Sequence, residues 1–304
     1  MQQDIIKILK DSGEINHNAQ KFAKKIITPG KTLLEIGTRI EEFIKEVGGS
    51  PAWPVNLSIN NQAAHNTYSY EKEVILQEDD ILKVDIGVSI DGYLTDSSQT
   101  IIFNKKHEKL KEASVSALTT AKKYLTDNYK TATISSLGKI IEEQIKKFNY
   151  KPIINLTGHC INRYVTHAHP SIPNIANNDN TKLLDLDTNF AIEPFVTTGR
   201  GYVNEGTELY IFGYLEDKPI RNKDSKQILQ EAKAYKGFAF SEYWVGKNLS
   251  SFARKIALRD LLKTEAITSY PVLIEQKDSF VSQSESTFLI TNEGLIDFVR
   301  IDEI

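Results

Sequence analysis

ILKVDIGVSIDGYLTDSSQTIIF, residues 81–103, sets two apolar, β-branched arms around Asp91-Gly92. An Asp-Gly pair suits the two positive-φ positions of a type I′ turn, so the stretch is expected to fold as a tight β-hairpin. That turn sets the register: Ile90 faces Tyr93 and Asp85 faces Ser98. Side chains alternate along a strand with a period of two, which puts Asp96 on the same face as Asp85, roughly 7–8 Å away on the diagonal. Two like charges then share one space on apolar strands. Burying them unpaired would cost several kcal/mol, so a cation lies between them, one is protonated, or the face is wet.

Outward from the hairpin, residues 14–27 and 32–47 show helical periodicity, broken by Thr28-Pro29-Gly30 and Gly48-Gly49. Residues 107–128 and 133–148 are two further amphipathic segments. They lead to strand-like runs at KPIINLTGH and TNFAIEPFV. The same order therefore occurs twice, and IGTRIEEFIK (36–45) matches LGKIIEEQIK (137–146) at six of ten positions, 101 residues apart. The expectation is an α+β fold of two helix-helix-strand halves about a pseudo-two-fold axis, with helices on one side of a curved sheet. Residues 218–268 read as an inserted helical subdomain with no strand inside it. Strands resume at YPVLIEQ, FVSQSESTFLIT and LIDFVRI.

The chain has 304 residues, 40% hydrophobic and 25% charged, enough for a core that needs no covalent staples. Its net charge is −3 and its lysines are scattered among acids, so there is no basic footprint for nucleic acid. With one cysteine, Cys160, no disulfide can form within the chain, which favours a reducing compartment. The first residues, MQQDIIKILKDSG, lack the apolar core of a secretory signal, and no stretch approaches the ~20 apolar residues of a membrane span. A cytoplasmic protein that does not engage membranes is expected.

Four of the six histidines, His65, His159, His167 and His169, lie in loop-like stretches rich in Asn, Ser and Pro. His17 and His107 fall on expected helix surfaces and receive no role. His159 follows a strand and Gly158, where backbone can pass close to a bound group; alone, it reads more readily as a structural residue. Glu193 stands in the apolar run FAIEPFV, where an ionised carboxylate needs a partner, and Glu285 repeats the case in VSQSESTFLI. Together, Asp85, Asp96, His159, Glu193 and Glu285 make four carboxylates and one imidazole on strands or strand ends. Hard oxygens with a single imidazole suit divalent Mn, Fe, Co or Zn, and four negative charges balance two such ions better than one. Two ions about 3.5–4 Å apart form a known arrangement for hydrolysis. Cys160 beside His159 reads as an ordinary small buried neighbour and not as a nucleophile.

VDIGVSIDGYLTD, LTGHCI, AIEPF and SQSE, in this order and spacing, resemble the methionine aminopeptidases of the pita-bread fold over essentially the whole chain. The roughly 90 residues between Glu193 and Glu285 resemble the type 2 enzymes in their short archaeal form. The resemblance implies a single catalytic domain over 1–304, with 218–268 as the type 2 insertion. It implies that Asp85 chelates one ion, that Asp96 and Glu285 bridge two, and that His159 and Glu193 complete the second. It gives Glu193 the role of proton shuttle, His65 that of donor to the scissile amide, and His167 that of oxyanion stabiliser. Trp53, Asn56, His65, Thr166 and His167 would contact the substrate, the N-terminal peptide of a nascent protein, and the enzyme would act as a monomer. Trp53 replaces the Phe usual before Pro54. Asn66, Tyr68, Thr166, Ser284 and Ser286 also depart from the family pattern, none of them at a ligand position. Two other readings share the fold: proline-specific peptidases, which use the same five ligands, and non-catalytic binding relatives, which typically lose ligands.

Overall fold

The computed structural model describes residues 1–177 and 186–304. The hairpin forms as expected, from Ile81–Ile90 and Tyr93–Ile102, with Ile90 opposite Tyr93 and Asp85 opposite Ser98. Asp91 and Gly92 take φ values of 52° and 82°, the left-handed pair that a type I′ turn demands.

Helix α1 (Gln3–Ile26) lies across this hairpin and begins well before the expected residue 14. Ser12-Gly13 looks like a break in the sequence, yet Gly13 sits inside the helix. A Cβ there would run into the Phe298 carbonyl, so the glycine permits a close approach instead of ending a turn. One buried stripe of α1 is polar: Ser12, Asn16 and Gln20, spaced by four. Asn16 Nδ2 donates to the carbonyls of Ile86 (2.9 Å) and Thr95 (3.0 Å), and Gln20 Nε2 to those of Val84 (3.2 Å) and Ser97 (2.9 Å). Hydrogen bonding to hairpin backbone is what makes burial of these amides tolerable.

Helix α2 (Leu33–Glu46) and, in the second half, α3 (Glu108–Asn128) and α4 (Ile134–Lys147) follow the expected bounds within two residues. The internal repeat is structural. Thr32 caps α2 through the Glu35 N–H, and Thr133, 101 residues on, caps α4 through the Ser136 N–H. Ile36, Gly37, Ile40 and Ile44 are buried on α2, and Leu137, Gly138, Ile141 and Ile145 are buried on α4. Even the glutamates correspond: Glu41 accepts the Val55 N–H (3.2 Å) and Glu142 the Ala176 N–H (3.0 Å).

Each half has its own core. Leu82, Val84, Ile86 and Val88 of the hairpin pack with α1 and α2, whereas Phe190, Ile192, Phe288 and Ile290 pack with α3 and α4. The strands form four sheets and not the single curved sheet expected. The hairpin joins the second half through several hydrogen bonds, among them a backbone pair in which Ser98 and Glu285 exchange bonds of 3.3 and 2.9 Å. In the second half, Gly294–Asp297, Ser286–Thr291, Asn189–Ile192, Thr157–Asn162 and Val165–Pro173 form one antiparallel sheet in that order.

Helices α5 (Lys223–Lys233) and α6 (Ser251–Lys263) fall within 218–268 and share a core around Ile228, Ala257 and Leu261. The segment is not purely helical: Ala239–Ser241 forms a short strand paired with Asn204–Tyr214. His17 and His107 are buried and not on the surface. His17 Nδ1 bonds the Val299 carbonyl (2.8 Å), and His107 packs against the Phe280 ring at 4.3 Å. Both are covered by segments remote in sequence. Among the described residues, no helix is long and apolar enough to cross a membrane.

Candidate functional site

Asp85 and Asp96 project from the hairpin, and Glu285 reaches them from the break between Val281–Gln283 and Ser286–Thr291, opposite Ser98. His159 comes from the strand Thr157–Asn162, and Glu193 follows Asn189–Ile192. Gly158 serves the sheet and not a ligand, because a Cβ there would clash with the Ala191 carbonyl of the neighbouring strand. The seam between the halves thus brings together residues spread from 85 to 285.

Ligand-type atoms of Asp96, His159 and Glu285 all lie within 4.8 Å of one another. His159 Nε2 is 3.5 Å from Asp96 Oδ2 and 3.8 Å from Glu193 Oε1. Gln283 Nε2 donates to Glu193 Oε2 (3.3 Å) and Glu285 Oε2 (3.2 Å), and the Trp53 indole donates to Asp85 Oδ1 (3.3 Å).

Burial pushes every carboxyl of the cluster up, reinforced for Asp85 by the charge of Asp96 and for Glu193 and Glu285 by the other acids; Asp96 reaches about 8. Burial pushes His159 down to about 4, so its imidazole is neutral at pH 7 and has a lone pair to offer. Among the described residues, His159 is the one basic group in ion-pair contact with these acids. Asp96 Oδ1 and Glu285 Oε1 are buried without a hydrogen-bond partner. Four crowded acids, one neutral imidazole and two orphaned oxygens form a donor set that fits divalent cations.

The cluster opens into a cavity of about 590 Å³, which Trp53, Asn56, His65, Thr166 and His167 also line. Every candidate residue read from the sequence therefore reaches the same space. Asn56 sits opposite Asp85 on the adjacent strand, with its Oδ1 unpartnered. His167 stands edge-on to His159, ring centroids 4.5 Å apart, and burial together with that neighbour pushes it down to about 3. His65 holds a left-handed φ of 63°, with Nδ1 3.2 Å from the Pro271 carbonyl. Burial and His167 push it down to about 4. Since a carbonyl only accepts, the proton of neutral His65 is on Nδ1, and Nε2 is left as an acceptor. Cys160 is buried, its thiol pushed up to about 11 by burial, as expected of a small buried neighbour and not of a nucleophile.

The sequence reading missed Gln283, although its place two residues before Glu285 was a usable signal for a shared face. It also missed Tyr270, which meets the His65 ring edge-on at 5.9 Å, and Gly237 and Ala239, which bring residues 218–268 to the cavity wall. Nothing local marks Tyr270, Gly237 or Ala239.

The sequence profile of metallopeptidase family M24 matches residues 7–229. A methionine aminopeptidase of Pyrococcus abyssi is 40% identical over 295 residues, 96% of this chain and 98% of its own length. One of Methanocaldococcus jannaschii is 38% identical over 286 residues, 94% of this chain and 95% of its own. Among solved structures, a thermophilic Arx1 superposes with a TM-score of 0.85 over 98% of this chain and 91% of that one; at 15% identity this is a likeness of fold alone.

Proposed function

The chain belongs to metallopeptidase family M24, with the pita-bread fold of that family, and on this premise we propose that it is an aminopeptidase removing the initiator methionine from nascent proteins. One observation of the molecule carries the reading: four carboxylates, Asp96 and Glu285 buried and Asp85 and Glu193 partly so, and a neutral imidazole line one cavity, with two oxygens left unpartnered. The donor set would hold two divalent ions of Mn, Fe, Co or Zn, Asp85 on one side, His159 and Glu193 on the other, and Asp96 and Glu285 between. When bound, such ions supply Lewis acidity and a water of lowered pKa.

The protein's own groups would do the rest. Glu193, a carboxylate at the edge of the cluster, takes a proton from the attacking water and returns it to the leaving amine. His167 stabilises the developing oxyanion. His65 in its neutral form presents Nε2 as an acceptor and receives an N–H of the substrate, which holds the scissile amide in place. The substrate's free α-amine settles beside Asp96, which confines cleavage to the first peptide bond. Trp53, Asn56 and Thr166 shape the side-chain pocket. Residues 218–268 are the type 2 insertion in one catalytic domain, and the enzyme works as a cytoplasmic monomer on peptide substrates.

The test is methionine release from Met-Ala-Ser by metal-stripped protein with Mn²⁺ or Co²⁺ added back, beside Ala-Pro peptides and Glu193→Gln. Metal-dependent methionine release that disappears in the variant supports the reading. Cleavage of Ala-Pro peptides alone would make the chain a proline-specific peptidase, and two bound ions with no cleavage would mean a binding protein.

A further inference from the structure

We propose that two separate neutral donors position the two ends of the carboxylate cluster, the Trp53 indole at Asp85 and the Gln283 amide at Glu193 and Glu285, so that the Trp53 donor sets the affinity of one ion position and the Gln283 donor, through the shared Glu285, acts on both. This rests on the two-ion reading above.

At the first end, Trp53 Nε1 lies 3.3 Å from Asp85 Oδ1. The indole packs over Gly87, two residues further along the same strand, where a Cβ would enter the ring. Its orientation is therefore fixed by the same strand that carries the carboxylate. The phenylalanine usual before this proline in the resembled family could fill the space but would bring no N–H, so the donor is a property of this chain. At the other end, Gln283 is fully committed. Its Oε1 accepts from Ser98 Oγ (3.0 Å), its backbone N–H donates to Thr100 Oγ1 (2.8 Å), and its carbonyl accepts from that hydroxyl (2.7 Å). With Oε1 engaged, the amide nitrogen is left to face Glu193 (3.3 Å) and Glu285 (3.2 Å). A flipped amide would set its oxygen against two carboxylates.

Each donor restricts its carboxylate before an ion arrives, and loss of such a partner typically costs about 10–100-fold in metal affinity. Neither residue touches the ions, so both are positioning residues. The hydrogen bonds do not overlap: Trp53 serves Asp85 alone, whereas Gln283 serves Glu193 and the shared Glu285.

The experiment is calorimetric titration of metal-stripped protein with Zn²⁺, for wild type, Trp53→Phe and Gln283→Met, with melting of the metal-free proteins as a control for folding. Trp53→Phe should weaken one binding step about 10–100-fold and leave the other, whereas Gln283→Met should weaken both. A merely structural role would lower the melting temperature and leave both affinities alone. Weakening of both steps by Trp53→Phe, of one step alone by Gln283→Met, or of neither step by either variant overturns the proposal. Failure of wild type to bind Zn²⁺ sinks the two-ion reading itself and this inference with it.

A second measurement needs no variant to stay folded. The chain has two tryptophans, so ¹⁵N-labelled wild type shows two indole signals. Trp244, whose indole bonds Glu41 at 2.8 Å, serves as reference. The Trp53 signal should move during one Zn²⁺ step only; a signal unmoved through both refutes the assignment.

Discussion

Replacing Glu41 by glutamine should remove a defined part of the pH dependence of stability. Glu41 is buried on α2 and accepts from the Val55 N–H (3.2 Å) and the Trp244 indole (2.8 Å). Burial outweighs these bonds and pushes its carboxyl from 4.5 up to about 7. A carboxyl raised in this way binds its proton more tightly in the native state. Its contribution is fully present below the unfolded value near 4.5 and is lost as pH rises through about 7. At 1.36 kcal/mol per pH unit, the span is worth about 3 kcal/mol. Glutamine cannot ionise, so the variant escapes this loss. Its amide has only one acceptor where two N–H groups arrive, so it gives up a buried hydrogen bond worth about 1–3 kcal/mol at any pH. The wild type should therefore exceed the variant in stability at low pH, and the gap should close or invert on the alkaline side of neutrality. Urea unfolding of both metal-free proteins, followed by circular dichroism across this pH range, measures the gap directly. Acids of the metal cluster cancel in the difference. A gap that stays constant would refute the burial argument for Glu41.

The raised carboxyls of the cluster, with Asp96 at about 8, are partly protonated in metal-free protein at pH 7, so ion uptake should release protons and weaken as pH falls. Calorimetry in buffers of different ionisation enthalpy checks this, and an enthalpy independent of buffer would contradict it. Gly138→Ala places a Cβ against the Ile175 carbonyl and should cost about 1–3 kcal/mol in denaturant melts, since a backbone group cannot swing away. An unchanged midpoint would show that α4 can shift to make room.

The parts of the fold legible in the sequence are those governed by local chemistry. Asp91-Gly92 sets the turn, the turn sets the register, and the register puts Asp85 and Asp96 on one face. The repeat between α2 and α4 survives as letters because both helices bury the same stripe and use the same cap. What stayed hidden depends on partners remote in the chain. Gly13 looks like a helix breaker until Phe298 packs against it, and His17 looks exposed until Val299 covers it. Ala239–Ser241 is too short to announce itself as a strand. At the site, the acids were legible because ionisable residues in apolar runs are conspicuous. The hydrogen bonds of Trp53 and Gln283 were not, since they exist only once the two halves have closed.

That closure has a consequence for how the molecule could be taken apart. Asp85 and Asp96 belong to one half and His159, Glu193 and Glu285 to the other, and the halves meet where Ser98 and Glu285 exchange their backbone hydrogen bonds. Cut into two polypeptides between α2–hairpin and α3–α4, neither fragment would own a complete set of donors. Ion uptake by such a mixture would count reunited pairs, which turns the metal into a gauge of fragment complementation. In the intact chain the same ions act as a clasp, tightening the native state by mass action and opening when the seam opens, before either hydrophobic core need melt.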